Sequence, residues 1–136
     1  MHLPSITAGY LAVLALLYAA LSAQVVRLRL KTRTAFSDGG SMDLRSAIRA
    51  HAHFAEYVPI TVLMIAILEM SGVSALRVHL LMGALLLARL LHPIGMYAKP
   101  GTLQFGIGRS AGMTITTGLL IVCALQLLGR ALMAAN

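Results

Sequence analysis

The sequence predicts an all-α membrane protein, an up-down bundle of four transmembrane helices. Composition is the first ground: 59% of the 136 residues are hydrophobic and 11% are charged, too little polar surface for a water-soluble domain. The second is a set of four apolar runs, each near the ~20 residues that cross a bilayer. The third is charge placement, with basic residues gathered at the ends of those runs and a few Arg, His and Glu set inside them. A single domain over residues 1–136 is expected, with little chain outside the membrane.

The first run, residues 5–26, holds no charged residue and fits one span. Positive charge follows it, at Arg27, Arg29, Lys31 and Arg33, instead of preceding it as in a signal peptide, so a retained helix is expected. The segment KTRTAFSDGGSMDL has the Gly and Asp content of a loop, and Ser41 or Asp43 is placed to cap the next helix. A second helix is expected over residues 43–70, a short turn at Ser71-Gly72-Val73-Ser74, and a third helix over residues 75–98. Lys99-Pro100-Gly101 should stop it. A glycine-bearing loop from Thr102 to Gly108 then leads to a fourth helix over residues 109–133, whose small residues Gly108, Ala111, Gly112 and Gly118 permit close helix approach.

The net charge of +7 does not point to nucleic acid, because the basic residues sit at span ends without aromatic interleaving. Membrane lipids with anionic headgroups are the expected partners. The lone cysteine, Cys123, lies in an apolar run and reads as packing; it forms neither an intramolecular disulfide nor a thiolate metal site. Seven cations (Arg27, Arg29, Lys31, Arg33, Arg45, Lys99, Arg109) flank the two loops on one side, against Arg77 and Arg130 on the other. The positive-inside rule therefore puts those loops in the cytoplasm and both termini across the membrane.

Ionisable groups inside a span are costly, so each requires a reason. On the second helix Arg49, His53 and Glu56 recur at i, i+4, i+7 and share one stripe, while His51 points away. Arg89, His92 and Met96 make a second stripe on the third helix, which the short turn sets antiparallel to the second. At ~1.5 Å per residue Glu56 and Arg89 lie at similar depth, so a buried ion pair between them is expected. Arg109 and Ser110 close the cytoplasmic mouth. Pro59 and Pro93 each remove one backbone hydrogen bond just beyond this cluster, where the helices are expected to bend. Glu69, near Arg77 and His79, reads as interface charge. The whole describes a cation-rich pocket for a small anion, with an apolar companion arriving from the lipid.

The run Arg49-Ala50-His51-Ala52-His53-Phe54-Ala55-Glu56 resembles the RAHxNxxE signature that opens the second helix of the MAPEG family, the membrane-associated proteins of eicosanoid and glutathione metabolism. The basic first loop, the Arg89-Leu90-Leu91-His92 segment and the Arg109-Ser110 start of the fourth helix are similar too, as in its small bacterial members. That resemblance implies a MAPEG-like bundle in the bacterial inner membrane, assembled as a homotrimer with glutathione between adjacent subunits near the cytoplasmic side. It implies catalytic roles for Arg109 and Ser110 in stabilising the thiolate, and glutathione binding by Arg49, His53, Glu56, Arg89 and His92. A lipophilic electrophile would be the second substrate. This chain differs from the pattern at His53 in place of Asn, at Ala52 in place of a basic residue, and at Met96 and Met113 in place of tyrosines.

A glutathione-dependent transferase or peroxidase is the leading expectation, and a non-catalytic membrane binding or scaffold protein on the same fold is the alternative. A small proton-coupled multidrug exporter is less favoured because the first helix has no ionisable residue and arginines would repel cationic drugs. Zinc or iron held by His53, Glu56 and His92 is opposed by Arg49 and Arg89.

Overall fold

The structure, a computed structural model, describes residues 3–98 and 102–135, without the side chains of residues 104–107 and 109. Four helices follow one another: α1 (Ser5–Thr32), α2 (Met42–Met70), α3 (Ala75–Tyr97) and α4 (Leu103–Ala134). All four are long and apolar enough to cross a membrane.

α1 outruns its expected end by six residues, because Arg29 and Lys31 occupy its last turn, where cations complement the helix dipole. Arg33 then adopts the left-handed conformation with φ 52°, and the chain turns off the helix. Arg29 reaches forward to organise the loop, donating to the carbonyls of Thr34 (3.3 Å), Ala35 (2.9 Å) and Ser37 (3.1 Å). Between the two candidate caps of α2 the structure selects Ser41, whose hydroxyl accepts from the Leu44 amide at 3.3 Å. α2 continues through Pro59 to Met70.

The turn after α2 forms as expected, and its hydrogen bonds explain why. Val73 N–H donates to Leu68 O (3.1 Å) and Gly72 N–H to Glu69 O (3.0 Å), with Gly72 at φ 82°: a Schellman motif that needs a residue tolerant of positive φ. Leu68 and Val73 are both buried, completing its hydrophobic contact. The expected stop at Lys99-Pro100-Gly101 lies outside the described residues. The expected loop from Thr102 to Gly108 is corrected: α4 begins at Leu103, six residues early. Packing accounts for it, since a Cβ at Gly108 would come within 2.8 Å of the Gly95 backbone, so helical Gly108 lets α4 lie against α3.

α3 and α4 share the most extensive interface; α1 packs on α2 and α3 and, among the described residues, not on α4. Leu14, Phe54, Ile65, Leu68, Met82, Leu85 and Cys123 form the core between the helices. Large apolar side chains such as Leu16, Leu63, Leu80, Leu90 and Leu125 are exposed on the outer faces. In a bilayer those faces meet acyl chains, so their exposure carries no penalty.

Candidate functional site

Arg89 is the largest fully buried side chain among the described residues, at 1% exposure. The close approach of α3 and α4 dictates its direction. Gly112 leaves no room for a side chain: a Cβ there would stand 3.0 Å from both Ala88 O and His92 Cβ. That bare backbone brings the Gly112 carbonyl within reach, and Arg89 Nη2 donates to it at 3.0 Å. The same nitrogen donates to the Thr116 hydroxyl, which donates onward to Gly112 O at 2.8 Å. Arg89 Nη1 reaches α2 at His53 O, 3.4 Å away. One guanidinium thus ties α2, α3 and α4 together.

The expected Glu56 to Arg89 ion pair is corrected. Glu56 is exposed on the outer face of α2, and the ion pair found among the described residues is Asp38 with Arg45 in the first loop. Arg89 is drawn instead toward carbonyl and hydroxyl oxygens on α4. Among the described residues its buried Nε has no hydrogen-bond partner, and the cation is stabilised by dipoles and by no carboxylate there.

His53 and His92, both on the predicted stripes, meet directly. His53 Nδ1 lies 2.9 Å from His92 Nε2, with ring centroids 5.1 Å apart. His92 is buried at 2% exposure and His53 half-buried, with Tyr57 edge-on to the His53 ring at 6.4 Å. Among the described residues no three His, Cys, Asp or Glu side chains are grouped as metal ligands would be.

Of the predicted site residues, the structure brings Arg89, His92 and His53 together in one buried cluster. Arg49, Glu56 and Ser110 are exposed and lie outside it. The Arg109 side chain lies outside the described residues. His51 points away from the cluster as its phase requires: it stacks on Tyr18 at 4.7 Å and meets the Ser22 hydroxyl at 3.1 Å on α1. Two contributors went unnoticed in the sequence, the Gly112 carbonyl and Thr116. With Gly108 they recur at i, i+4, i+8 on α4, a stripe of small residues ending in a hydroxyl.

Glu69, read as interface charge near Arg77 and His79, lies at the end of α2 and holds the first turn of α1, Oε1 accepting from Ile6 N–H (2.9 Å) and Oε2 from Thr7 N–H (2.9 Å). His79 hydrogen-bonds with the Tyr10 hydroxyl at 3.3 Å.

Four apolar helices with a polar cluster enclosed among them define an integral membrane protein. The chain belongs to the MAPEG family, whose sequence model matches residues 7–129. It is 39% identical over 94 residues to the inner membrane protein YecN of Escherichia coli strain K12, an alignment covering 69% of this chain and 72% of that protein. YecN of Escherichia coli O6:H1 matches to the same extent. These relatives support the inner membrane as the location here. No solved structure matches the chain.

Proposed function

We propose that this protein is a glutathione-dependent transferase or peroxidase acting on lipophilic electrophiles, with its site completed by the neighbouring subunit of a homotrimer. The observation that carries the reading is the outward exposure of Arg49 and Glu56 on one stripe of α2. A charged group facing hydrocarbon costs roughly 2.5–3.5 kcal/mol on the insertion scale, so this face calls for polar company. Glutathione supplies it chemically, since its carboxylates suit the Arg49 guanidinium and its ammonium suits the Glu56 carboxylate. Behind that face, Arg89 maintains a positive potential that favours an anionic ligand. Arg109 and Ser110, at the start of the apolar part of α4, are assigned to the thiolate, because nearby cations lower a thiol's pKa. The count of basic residues at the span ends supports a site opening to the cytoplasm, with both termini on the opposite side.

Titrating the detergent-purified protein with glutathione and following the ultraviolet absorbance of the thiolate tests this. Binding that is lost in Arg49→Ala, with the thiolate signal lost in Arg109→Ala, is the expected result. No binding at millimolar glutathione would sink the proposal.

A second reading, a non-catalytic binding or scaffold protein, is favoured by Met96. It stands where glutathione-using relatives carry a tyrosine and packs against the apolar core. Binding of glutathione with no turnover of any electrophile would select it.

A further inference from the structure

At the end of the bundle that carries the α2–α3 turn, α2 and α4 leave an open groove of about 930 Å³ between them. Ile67 lines it from α2, and Leu127, Ala131 and Met133 line it from α4, with Ser71 and Arg130 completing the wall. Ile67 and Met133 expose much of their apolar surface there. A concave apolar trough thus carries one cation.

That cation has a fixed position. Ser71 is the C-cap of α2, at the end of the helix where carbonyls lack intrahelical partners and the dipole is negative. Arg130 answers it from α4, Nη1 donating to Ser71 O at 2.7 Å. The bond engages Nη1 and leaves the Nε–Nη2 edge, which can meet two oxygens of a phosphate side by side. The acid at this end, Glu69, is committed to the Ile6 and Thr7 amides of α1, and Arg130 forms no ion pair among the described residues.

We propose that this groove binds a phospholipid, with the phosphodiester on the Arg130 guanidinium and an acyl chain lying along Ile67, Leu127 and Met133. Charge complementarity selects the headgroup, since an arginine at the membrane surface attracts an anionic phosphate. The apolar walls select the chain, and the groove's volume falls within the roughly 300–1,000 Å³ of ordinary ligand pockets. On the convex outer faces acyl chains act as solvent; here the trough and the anchored guanidinium grip both parts of the same molecule. Positive charge is sparse at this end, where Arg77 is the other expected cation. Arg77 does not line the groove, so the attraction is local to Arg130.

Native mass spectrometry of the detergent-purified full chain, titrated with phosphatidylglycerol, reads the lipids bound per subunit. Saturation at one lipid is expected. Arg130→Ala should weaken its binding by at least about fivefold. Ile67→Gln, which sets an amide against the acyl chain from an exposed position, should weaken it too, and Arg77→Ala should leave it unchanged. Glycerol phosphate, which has the headgroup chemistry without the chain, should not displace the lipid at millimolar concentration. Circular dichroism checks that each variant remains helical, and Ile67→Gln carries the test if Arg130→Ala does not fold. Equal weakening in Arg77→Ala would reveal diffuse surface attraction and overturn the site. Displacement by glycerol phosphate would make it a phosphate site without a lipid. A change in subunit number in Arg130→Ala, with the lipid count per subunit unchanged, would make the groove a contact between copies, and the proposal would fall.

Discussion

Glu69, near the end of α2, closes the beginning of α1: its Oε2 accepts from both the backbone N–H and the hydroxyl of Thr7, at 2.9 and 2.6 Å. α1 starts after Pro4, which has no side chain to cap it, and its first turn contains no acidic residue. A carboxylate from a different helix therefore satisfies the orphan amides and faces the positive end of the dipole. Glu69→Ala should destabilise the protein by about 1–2 kcal/mol and speed hydrogen exchange at Ile6 and Thr7. Unchanged exchange at those two amides would show that the cap does not hold the turn.

The α3–α4 seam makes a sharper mutational contrast. Gly112→Ala would thrust a methyl to 3.0 Å from Ala88 O and His92 Cβ, both on an adjacent helix. The helices must part, at a cost of about 1–3 kcal/mol, and Arg89 loses its Gly112 contact. Gly118→Ala meets nothing within 4 Å and should leave denaturant unfolding in detergent unchanged or slightly stabilised. Equal effects from the two substitutions would contradict the close approach.

Thr116 accepts from Arg89 and donates to Gly112 O. Thr116→Val keeps the shape and removes the hydroxyl, leaving a buried guanidinium nitrogen with one partner fewer. A loss of about 1–3 kcal/mol in unfolding free energy is expected. Thr116→Ser, which preserves the oxygen, should recover most of it.

In the first loop the Arg45 hydrogen bond, then the Gly40 amide, holds the Asp38 carboxyl below its usual range. Because the folded pKa is depressed, its stabilising contribution is fully present above the unfolded value of 3.8 and is lost as pH falls through the folded one. The Gly40 amide, which donates to Asp38 Oδ1 at 2.9 Å, should report this as an NMR titration with a midpoint below 3.8. Asp38→Asn should abolish it. A midpoint at the free aspartate value would mean the contact does not persist in solution.

Much of the bundle was legible because its signals are local. Apolar run length marks a span, Gly72 marks a left-handed turn, and Ser41 marks a cap, each through the physics of a few neighbouring residues. The two polar stripes were legible for the same reason, since i, i+4 spacing sets a common helix face. Matching depths and opposite charges did not suffice to pair Glu56 with Arg89. Whether two side chains meet depends on the rotation of each helix about its axis, and the Gly108–Gly112 seam on α4 determines where α3 lies.

Run length and residue spacing are enough to specify four membrane-crossing helices, the short α2–α3 connection, and Arg49, His53, Glu56, Arg89 and His92 inside or beside the spans. The partnerships come from the packing of the helices: His53 with His92, Arg89 with Gly112 and Thr116, Glu69 with Thr7. The physical reason is that spacing along a helix specifies a face, whereas partnership requires a second helix at a given distance and rotation. Here two glycines on α4 set that distance, and Arg89, left with no carboxylate within reach among the described residues, binds backbone and hydroxyl oxygens instead.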